Sequence, residues 1–221
     1  KYPFDNLSTI SNVNLTIKNG QTIGVVGPTG SGKSTLIRQL LREFNVTDGD
    51  ILIDGKNIKK FKINKIRKMV GYVPQSHMLF RRGVDDNILI GSPEATMDQL
   101  NKAIKIADFQ KDVFYLSDGL HTKVGEGGAS LSGGQKQRLS IARALIREPE
   151  ILILDDSLSA VDANTEENII DQLKQFRRNK TNIIIAHRFS AIREADLIIV
   201  MDRGRIIDQG THEELLKKDG W

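Results

Sequence analysis

The stretch Gly27–Thr35, which reads GPTGSGKST, constrains the fold more than any other part of the chain. It fits the pattern G-x-x-x-x-G-K-[ST], in which backbone N–H groups of a glycine-rich loop converge on phosphate oxygens. The apolar run Ile23–Val26 precedes the loop, and apolar residues at helical spacing follow it from Leu36 to Phe44. The sequence therefore predicts a buried strand, a phosphate-binding loop and a helix in direct succession.

The polar residues of this loop have separate predicted roles. Lys33 supplies a positive charge, the helix that begins near Gly32 supplies its positive dipole end, and the Ser34 hydroxyl suits Mg²⁺. The alternative is a glycine turn that enters a helix with an incidental lysine, and the flanking strand and helix argue against it. We expect the nucleotide phosphates to be bound by Gly27, Thr29, Gly30, Ser31, Gly32, Lys33, Ser34 and Thr35.

Composition agrees with this reading without deciding it. A length of 221 residues suffices for one large domain or two small lobes that share a core. The net charge of +4 suits a phosphate-binding protein and is equally ordinary for a lysine-rich surface. The absence of cysteine excludes disulfides and thiolate zinc sites, which fits a reducing compartment.

The sequence contains no apolar run of the length that a membrane span requires, and no signal-peptide pattern. If the protein works at a membrane, another segment must therefore cross it. The chain opens abruptly at Lys1-Tyr2-Pro3, and we expect it to be a fragment of a longer polypeptide.

The first part of the chain has an antiparallel character. Alternation in Val13–Ile17 and a turn at Asn19-Gly20 predict a hairpin with the Ile23–Val26 strand, and Asp54-Gly55 predicts a second hairpin. The basic run Ile58–Lys68 has roughly helical spacing and a single aromatic residue. A solvated helix face is therefore favoured there over a nucleic-acid patch.

Later segments predict core strands that flank an inserted helical part. Between Gln75 and Gly128 the spacing is helical and lacks the β-branched runs of a parallel sheet. We predict an α/β P-loop NTPase fold with a mainly parallel core sheet, an antiparallel β lobe and an inserted helical lobe. Residues 1–75 would hold the β lobe and the first part of a RecA-like core, residues 76–146 the helical lobe, and residues 147–221 the rest of the core. The later core strands are predicted at Val70–Val73, Ile151–Leu154, Ile183–Ala186, Leu197–Met201 and Arg205–Ile207.

Two of these strands end in polar residues. Asp155 and Asp156 follow the Ile151–Leu154 run, and His187 follows the next buried strand. Carboxylates at the C-terminal end of a strand beside a phosphate loop are suited to Mg²⁺ ligation and to activating water. Asp156 or Asp162 could instead cap the following helix, which is plausible for Asp162. A lone histidine is usually structural, but His187 shares its sheet edge with the loop and the aspartates.

A glycine cluster, from Gly125 to Gln135, precedes another predicted helix. Ser132 and Gln135 satisfy the capping-box pattern, which by itself accounts for a helix start. A cap does not need Gly133 and Gly134, however, and both cost helix stability in the first turn. Glycine makes sense there if another molecule approaches the backbone, and the helix start would then be a second anion site.

Taken together, these motifs resemble the nucleotide-binding domain of an ATP-binding cassette (ABC) exporter of the multidrug or lipid type, over nearly the whole chain. LSGGQ following the phosphate loop in this order is far more specific than the loop alone. The resemblance implies Mg-ATP as cofactor and ATPase activity. It also assigns Walker A to Gly27–Ser34, the signature to Leu131, Ser132, Gly133, Gly134 and Gln135, Walker B to Ile151–Asp156, and the D-loop to Ser159–Asp162.

Further residue roles follow only from the resemblance. Gln75 would be the Q-loop glutamine and His187 the switch histidine, and both would act in catalysis with Asp156. The metal ligands would be Ser34, Gln75 and Asp155. Tyr2 resembles the aromatic residue that stacks on adenine, although the strand that normally precedes it is missing.

Two segments resemble exporters in particular. Thr122–Gly128 is similar to the loop that exporters use to contact the coupling helices of their transmembrane domains, and Leu79–Ile88 is the second segment. The resemblance therefore implies a transmembrane-domain partner, a position at the cytoplasmic face of the cell membrane, and no nucleic-acid partner. The transported substrate would be chosen by membrane helices outside this chain.

The family mechanism implies that two such domains pair head to tail around two ATP molecules. Each signature, through a serine hydroxyl and glycine amides, would clamp the γ-phosphate bound to the other domain. The second domain would be identical or different.

One position departs from the family pattern. Asp156 stands where the family usually has glutamate, and the shorter side chain withdraws the carboxylate by about 1.5 Å. Moving the carboxylate away from the attacking water by this distance can slow ATP hydrolysis on the order of a hundredfold. Asp156 thus resembles the weakly hydrolysing half of an asymmetric heterodimeric exporter, whose intact signature would serve a partner.

Three other classes of protein share some of these motifs. The first is a homodimeric exporter in which Asp156 still works as the base. The second, a soluble ABC ATPase that acts on DNA or ribosomes, usually carries coiled-coil insertions or tandem cassettes, which this sequence lacks. The third, a small GTPase, is excluded because no NKxD motif follows the loop.

Overall fold

The computed structural model of the protein describes residues 9–127 and 129–218. Its strands are β1 (Thr22–Val26), β2 (Leu52–Ile53), β3 (Lys56–Asn57), β4 (Val70–Val73), β5 (Arg82–Gly83), β6 (Lys123–Val124), β7 (Ile151–Asp155), β8 (Thr181–Ile185), β9 (Leu197–Asp202) and β10 (Arg205–Gly210). Its helices are α1 (Lys33–Leu40), α2 (Ile63–Met69), α3 (Val84–Leu89), α4 (Met97–Ile106), α5 (Gln110–Tyr115), α6 (Gly133–Leu145), α7 (Ala163–Phe176) and α8 (His212–Leu216). Short 3₁₀ turns lie at Ile58–Lys60, Gly119–His121 and Phe189–Ile192.

A six-stranded sheet forms the centre of the fold, in the order β10-β9-β1-β8-β7-β4. Every neighbouring pair is parallel except β9 and β10, which are antiparallel. The buried, mainly apolar strands β7 and β8 suit central positions that are covered on both faces. The predicted fold class, a mainly parallel P-loop sheet with antiparallel additions, is confirmed.

Alternate residues of the strands belong to two separate apolar clusters, one on each face of the sheet. On one face, Ile23, Ile153 and Ile185 pack with Ile37 of α1 and Ile66 of α2. On the other face, Leu152, Leu154 and Ile184 pack with residues of α3, α4, α6 and α7. The period of two along each strand therefore produces a three-layer arrangement with helices above and below the sheet.

One predicted hairpin is wrong. The structure assigns no strand to residues 13–17, and β1 instead pairs in parallel with β8 and β9. Alternation gave a wrong prediction at this point, because the largely buried β1 pairs with two parallel strands that are distant in sequence. The second predicted hairpin is confirmed as β2 and β3 around Asp54-Gly55, although each strand has only two residues.

The segment after Gln75 is helical, as predicted. It contains α3, α4 and α5. α3 is only six residues long and is preceded by β5. Within residues 9–127 and 129–218, none of the helices has both the length and the apolar character needed to cross a membrane.

Candidate functional site

The carboxyl ends of β1, β8 and β7 lie side by side and carry the predicted site residues. Asp155 is paired with Ile185, and the backbone N–H of Asp156 donates to the Ile185 carbonyl at 2.9 Å. The N–H of Ala186 donates to the Val25 carbonyl at 3.3 Å. The phosphate loop after β1, the two aspartates and His187 therefore emerge at one edge of the sheet, where ligands bind in open α/β folds.

The phosphate loop is shaped by close packing at its start and by a left-handed residue at its end. A Cβ at Gly27 would lie 2.1 Å from the Met201 carbonyl oxygen, so β9 excludes any side chain there. A Cβ at Gly30 would meet no atom within 4 Å, so this part of the loop is open. Gly32 is the N-cap of α1 with a φ of 102°, and the helix begins at Lys33. Backbone N–H groups at the start of α1 are thus placed as an anion site.

Lys33 is folded onto its own loop. Its ammonium donates to the carbonyls of Gly27 at 2.8 Å and Pro28 at 2.9 Å, and it lies 3.4 Å from the Ser31 hydroxyl. Burial lowers the pKa of Lys33, and the carboxylates of Asp155 and Asp156 oppose that shift. The Lys33 ammonium therefore holds the loop closed through hydrogen bonds to neutral carbonyl oxygens. Phosphate oxygens can replace these carbonyls, because a hydrogen bond between oppositely charged groups is stronger.

Two oxygen groups at the sheet edge suit a magnesium ion. The Ser34 hydroxyl lies 3.5 Å from Asp155 Oδ1, and Asp155 is buried. Hard oxygen donors are the ligands that Mg²⁺ prefers, and it usually takes one or two of them together with substrate phosphates and water. Within the described part of the chain, no cluster of three or more histidine, cysteine, aspartate or glutamate residues could hold a metal by itself. The residues therefore fit an ion that arrives with a nucleotide.

The second oxygen of Asp155 is bound by a residue to which the sequence analysis assigned no role. The Tyr72 hydroxyl donates to Asp155 Oδ2 at 3.0 Å. Burial, followed by the charge and hydrogen bond of Asp155, raises the pKa of Tyr72 above its ordinary value. The phenol therefore remains a hydrogen-bond donor at neutral pH.

Asp156 adopts a left-handed backbone conformation, with a φ of 50°. Its carboxylate Oδ2 accepts a hydrogen bond from Gln75 Nε2 at 3.0 Å, so the structure brings these two predicted catalytic residues together. The Ser159 hydroxyl donates to the Asp156 carbonyl at 2.8 Å, which ties the start of the D-loop to this turn. Aspartate tolerates positive φ better than most residues, which suits it to this position.

His187 is exposed and lies two residues after β8. The neighbouring Arg188 donates to the Val161 carbonyl of the D-loop at 3.0 Å, and its Nη1 lies 4.0 Å from the carboxylate of Glu166. Glu166, a buried residue of α7, also accepts a hydrogen bond from Ser190. The segment that carries His187 is therefore fastened to the D-loop by residues that no motif predicted.

The signature residues form a capped helix start. Ser132 is the N-cap of α6, its hydroxyl accepts from the Gln135 N–H at 3.2 Å, and the Gln135 side chain returns a bond to the Ser132 N–H at 2.9 Å. The predicted capping box is confirmed. Its bonds do not use the hydrogen of the Ser132 hydroxyl, which is exposed at the surface. Leu131, in contrast, is buried in the core.

The two signature glycines differ in their surroundings. A Cβ at Gly134 would lie 3.0 Å from the Ala160 carbonyl oxygen, so packing within the chain already favours glycine there. A Cβ at Gly133 would meet only the Ala160 side chain, at an ordinary 3.5 Å. Packing within the chain therefore explains the glycine at position 134. That Gly133 lets another molecule approach the backbone remains a proposal.

The D-loop is bound to the signature helix through Gln137, another residue without a predicted role. Its side chain donates to Ser159 Oγ at 3.3 Å and accepts from the Ala160 N–H at 2.9 Å. Asp162, the last D-loop residue, caps α7 by accepting from the Thr165 N–H at 3.0 Å. The capping alternative considered for Asp162 is thus confirmed, and Asp156 caps no helix because α7 begins at Ala163.

The remaining predicted residues are Thr29, Thr35 and Tyr2, together with the two exporter-like segments. Thr29 is exposed on the phosphate loop, and Thr35 is buried in the first turn of α1. Tyr2 lies outside the described residues, so its predicted adenine contact stays a prediction. The two exporter-like segments meet as β5 and β6, with Arg82 paired to Val124 and Gly83 paired to Lys123.

The parallel sheet, the phosphate loop and the paired aspartates at one edge define a P-loop nucleoside triphosphatase. A family model described as the ABC transporter matches residues 10–159. The chain belongs to the ABC transporter family, as an ATP-binding domain with ATPase function.

Relatives and a solved structure agree with this assignment. The chain is 51% identical over 220 residues to the probable multidrug resistance ABC transporter ATP-binding/permease protein YheI of Bacillus subtilis (strain 168), covering 100% of this chain and 38% of that protein. It is 45% identical over 220 residues to the multidrug resistance-like ATP-binding protein MdlA of Escherichia coli (strain K12), covering 100% and 37%. A bacterial Atm1-family ABC exporter with ATP bound superimposes with a TM-score of 0.94 at 38% identity, covering 99% of this chain and 39% of that one. The chain thus spans about two-fifths of the length of these relatives.

Proposed function

We propose that this domain is the ATP-driven motor of a multidrug-type exporter and that it pairs head to tail with a second such domain around two Mg-ATP. The observation that carries the proposal is the sheet edge where Lys33, Ser34, Asp155 and Asp156 converge. The names of the relatives, which are multidrug ATP-binding or permease proteins, support the transport role.

In this proposal the chain's own residues hold the triphosphate at the sheet edge. Lys33 would exchange its two loop carbonyls for phosphate oxygens, and the N–H groups at the start of α1 would bind the same anion. Ser34 and Asp155 would hold the ion, with Gln75 beside them. When bound, Mg²⁺ neutralises phosphate charge and so favours phosphoryl transfer to water.

Pairing through the signature is supported by the exposed start of α6. Ser132 keeps its hydroxyl hydrogen for an outside acceptor, and the N–H groups of the first turn have no intrahelical partners. The space beside Gly133 would let a phosphate approach that backbone closely. A second domain's γ-phosphate is therefore a suitable ligand, and its loss on hydrolysis would release the pair.

We further propose that hydrolysis at this domain's own site is impaired by Asp156. Its carboxylate is shorter than that of glutamate by about 1.5 Å. It also accepts a hydrogen bond from Gln75, which holds it back toward the Q-loop. A base must lie within hydrogen-bond reach of its water, and displacement of that size can cost on the order of a hundredfold in rate.

A membrane partner is proposed from two observations. The segments that form β5 and β6 are paired and present the exposed Arg82 and Lys123. The relative YheI is named as an ATP-binding/permease protein, and its chain is more than twice as long. The domain would then work at the cytoplasmic face of a membrane, coupled to a transmembrane domain.

The test compares steady-state ATP turnover of the purified wild-type chain with that of Asp156→Glu. We expect slow wild-type turnover and a rise of at least tenfold in the variant, because glutamate restores the reach of the base. Asp171→Glu, which makes the same chemical change at an exposed position on α7, is the matched control. Equal turnover of wild type and Asp156→Glu would instead favour the homodimeric exporter in which Asp156 is a working base.

Association is measured separately, by sedimentation of Asp156→Asn with and without Mg-ATP. A nucleotide-dependent dimer is expected, because blocked turnover preserves the clamp. A monomer at saturating Mg-ATP, both for this chain and for the longer protein with its membrane segments, would contradict the head-to-tail proposal.

A further inference from the structure

Tyr72 lies on the strand next to the Walker B strand and on the same face of the sheet as Asp155. β4 and β7 are parallel, and Tyr72 is directly opposite Ile153. Side chains alternate along a strand, so Tyr72, Ile153 and Asp155 share one face. This is the face covered by α1, since Tyr72 packs against the cluster that contains Ile37. Ser34 belongs to that same helix.

The hydroxyl of Tyr72 and the hydroxyl of Ser34 lie near different oxygens of Asp155. Tyr72 donates to Oδ2 at 3.0 Å, whereas Ser34 Oγ lies 3.5 Å from Oδ1. Rotation about the terminal torsion of an aspartate is broad, so that without a partner the carboxylate plane can turn through many orientations. A hydrogen bond to one oxygen restricts this rotation and holds the other oxygen toward the phosphate loop.

We propose that Tyr72 is a positioning residue that orients Asp155 toward the divalent cation of a bound nucleotide. This inference rests on the proposed function, in which Asp155 and Ser34 hold that ion. Hydrogen-bond partners that orient metal-binding carboxylates typically contribute about 10–100-fold to metal affinity or activity. The ring of Tyr72 has an independent packing role on the sheet, which a phenylalanine would keep.

The experiment uses Tyr72→Phe, which removes one oxygen atom and retains the ring. The dissociation constant of a fluorescent ATP analogue is measured with excess Mg²⁺ and again with EDTA, and the ratio of the two constants reports the contribution of the ion. We expect Tyr72→Phe to reduce this ratio about tenfold and to leave the constant in EDTA within about twofold of wild type. Thermal unfolding verifies that the variant is folded.

Tyr115→Phe is the matched control, because it removes the same atom from an exposed residue on α5. A second comparison repeats Tyr72→Phe in an Asp155→Asn background, where the ratio should no longer respond to the hydroxyl. The proposal is overturned if Tyr72→Phe and Tyr115→Phe give the same ratio. It is also overturned if Tyr72→Phe weakens binding equally in Mg²⁺ and EDTA, which would show a structural effect.

Failure of the proposed function gives a different result. In that case the wild type itself shows no gain in nucleotide affinity from Mg²⁺, and the inference is overturned with it. A normal wild-type ratio together with an unaffected Tyr72→Phe variant overturns the inference about Tyr72 alone.

Discussion

Asp112 anchors the signature helix to α5, and its removal is predicted to destabilise the domain. The carboxylate accepts from Arg138 Nε at 2.9 Å and from Arg138 Nη2 at 2.8 Å. It also accepts from the side chain of Gln135 at 3.1 Å. The Arg138 and Asp112 side chains are each only 13% exposed. Asp112→Ala would therefore leave a largely buried guanidinium without its partner.

The expected loss follows from this burial and geometry. Removing one partner of a buried ion pair costs about 3–5 kcal/mol, whereas an exposed pair contributes about 0–1 kcal/mol. Since the pair is nearly but not completely buried and is bidentate, we expect a loss of about 3 kcal/mol in the free energy of unfolding. For a domain of this size that corresponds to a fall of roughly 6–12 °C in Tm.

The coupling free energy between Asp112 and Arg138 is measured by urea unfolding of four proteins: wild type, Asp112→Ala, Arg138→Ala and the double variant. Asp171→Ala, at an exposed residue 3.9 Å from Lys174, should change stability by less than about 0.5 kcal/mol. A loss below about 1 kcal/mol for Asp112→Ala, or a coupling near zero in the double-mutant cycle, would refute the reasoning.

Two further predictions concern the signature and the D-loop. Gly133→Ala should keep or slightly raise the Tm, since glycine costs helix stability, but it should lose Mg-ATP-dependent dimerisation. Gly134→Ala should lower the Tm, because its Cβ would lie 3.0 Å from the Ala160 carbonyl oxygen. Sedimentation and thermal unfolding of both variants check this, and dimerisation by Gly133→Ala would count against the proposed clamp. The backbone and hydroxyl hydrogen bonds from Thr165 lower the pKa of Asp162 below its ordinary value, so its stabilising contribution is complete above the ordinary pKa and is lost as pH falls through the lower folded-state pKa. Asp162→Asn caps without titrating, so the difference in unfolding free energy between wild type and variant should change as pH is lowered below the ordinary pKa of an aspartate, and a constant difference would disprove this assignment.

Local patterns predicted much of the fold. Continuous apolar runs predicted β7, β8 and β9 within one or two residues at their ends, and capping residues predicted the start of α6. These features succeed because a cap or a buried strand is specified by neighbouring residues. The prediction of a strand at residues 13–17 was wrong, because strand pairing depends on residues distant in the chain, which alternation does not identify.

The candidate site also contains some residues that the sequence identified and others that it did not. The phosphate loop, the signature and the Walker B aspartates could be identified from the sequence because their spacing is local and specific. Tyr72, Gln137 and Glu166 could not, because each acts through a hydrogen bond to a residue more than 20 positions away.

By itself, the sequence determined the class of this protein, its family and the order of its nucleotide-binding motifs, since each is encoded in contiguous residues. Only the tertiary structure decided which side chains orient those motifs. It placed Tyr72 on Asp155, Gln75 on Asp156 and Ala160 against Gly134. The physical reason is that such contacts arise only when elements far apart in the chain pack together. The register of β4 and β7 brings Tyr72 to Asp155, and the packing of the D-loop on α6 brings Ala160 to Gly134.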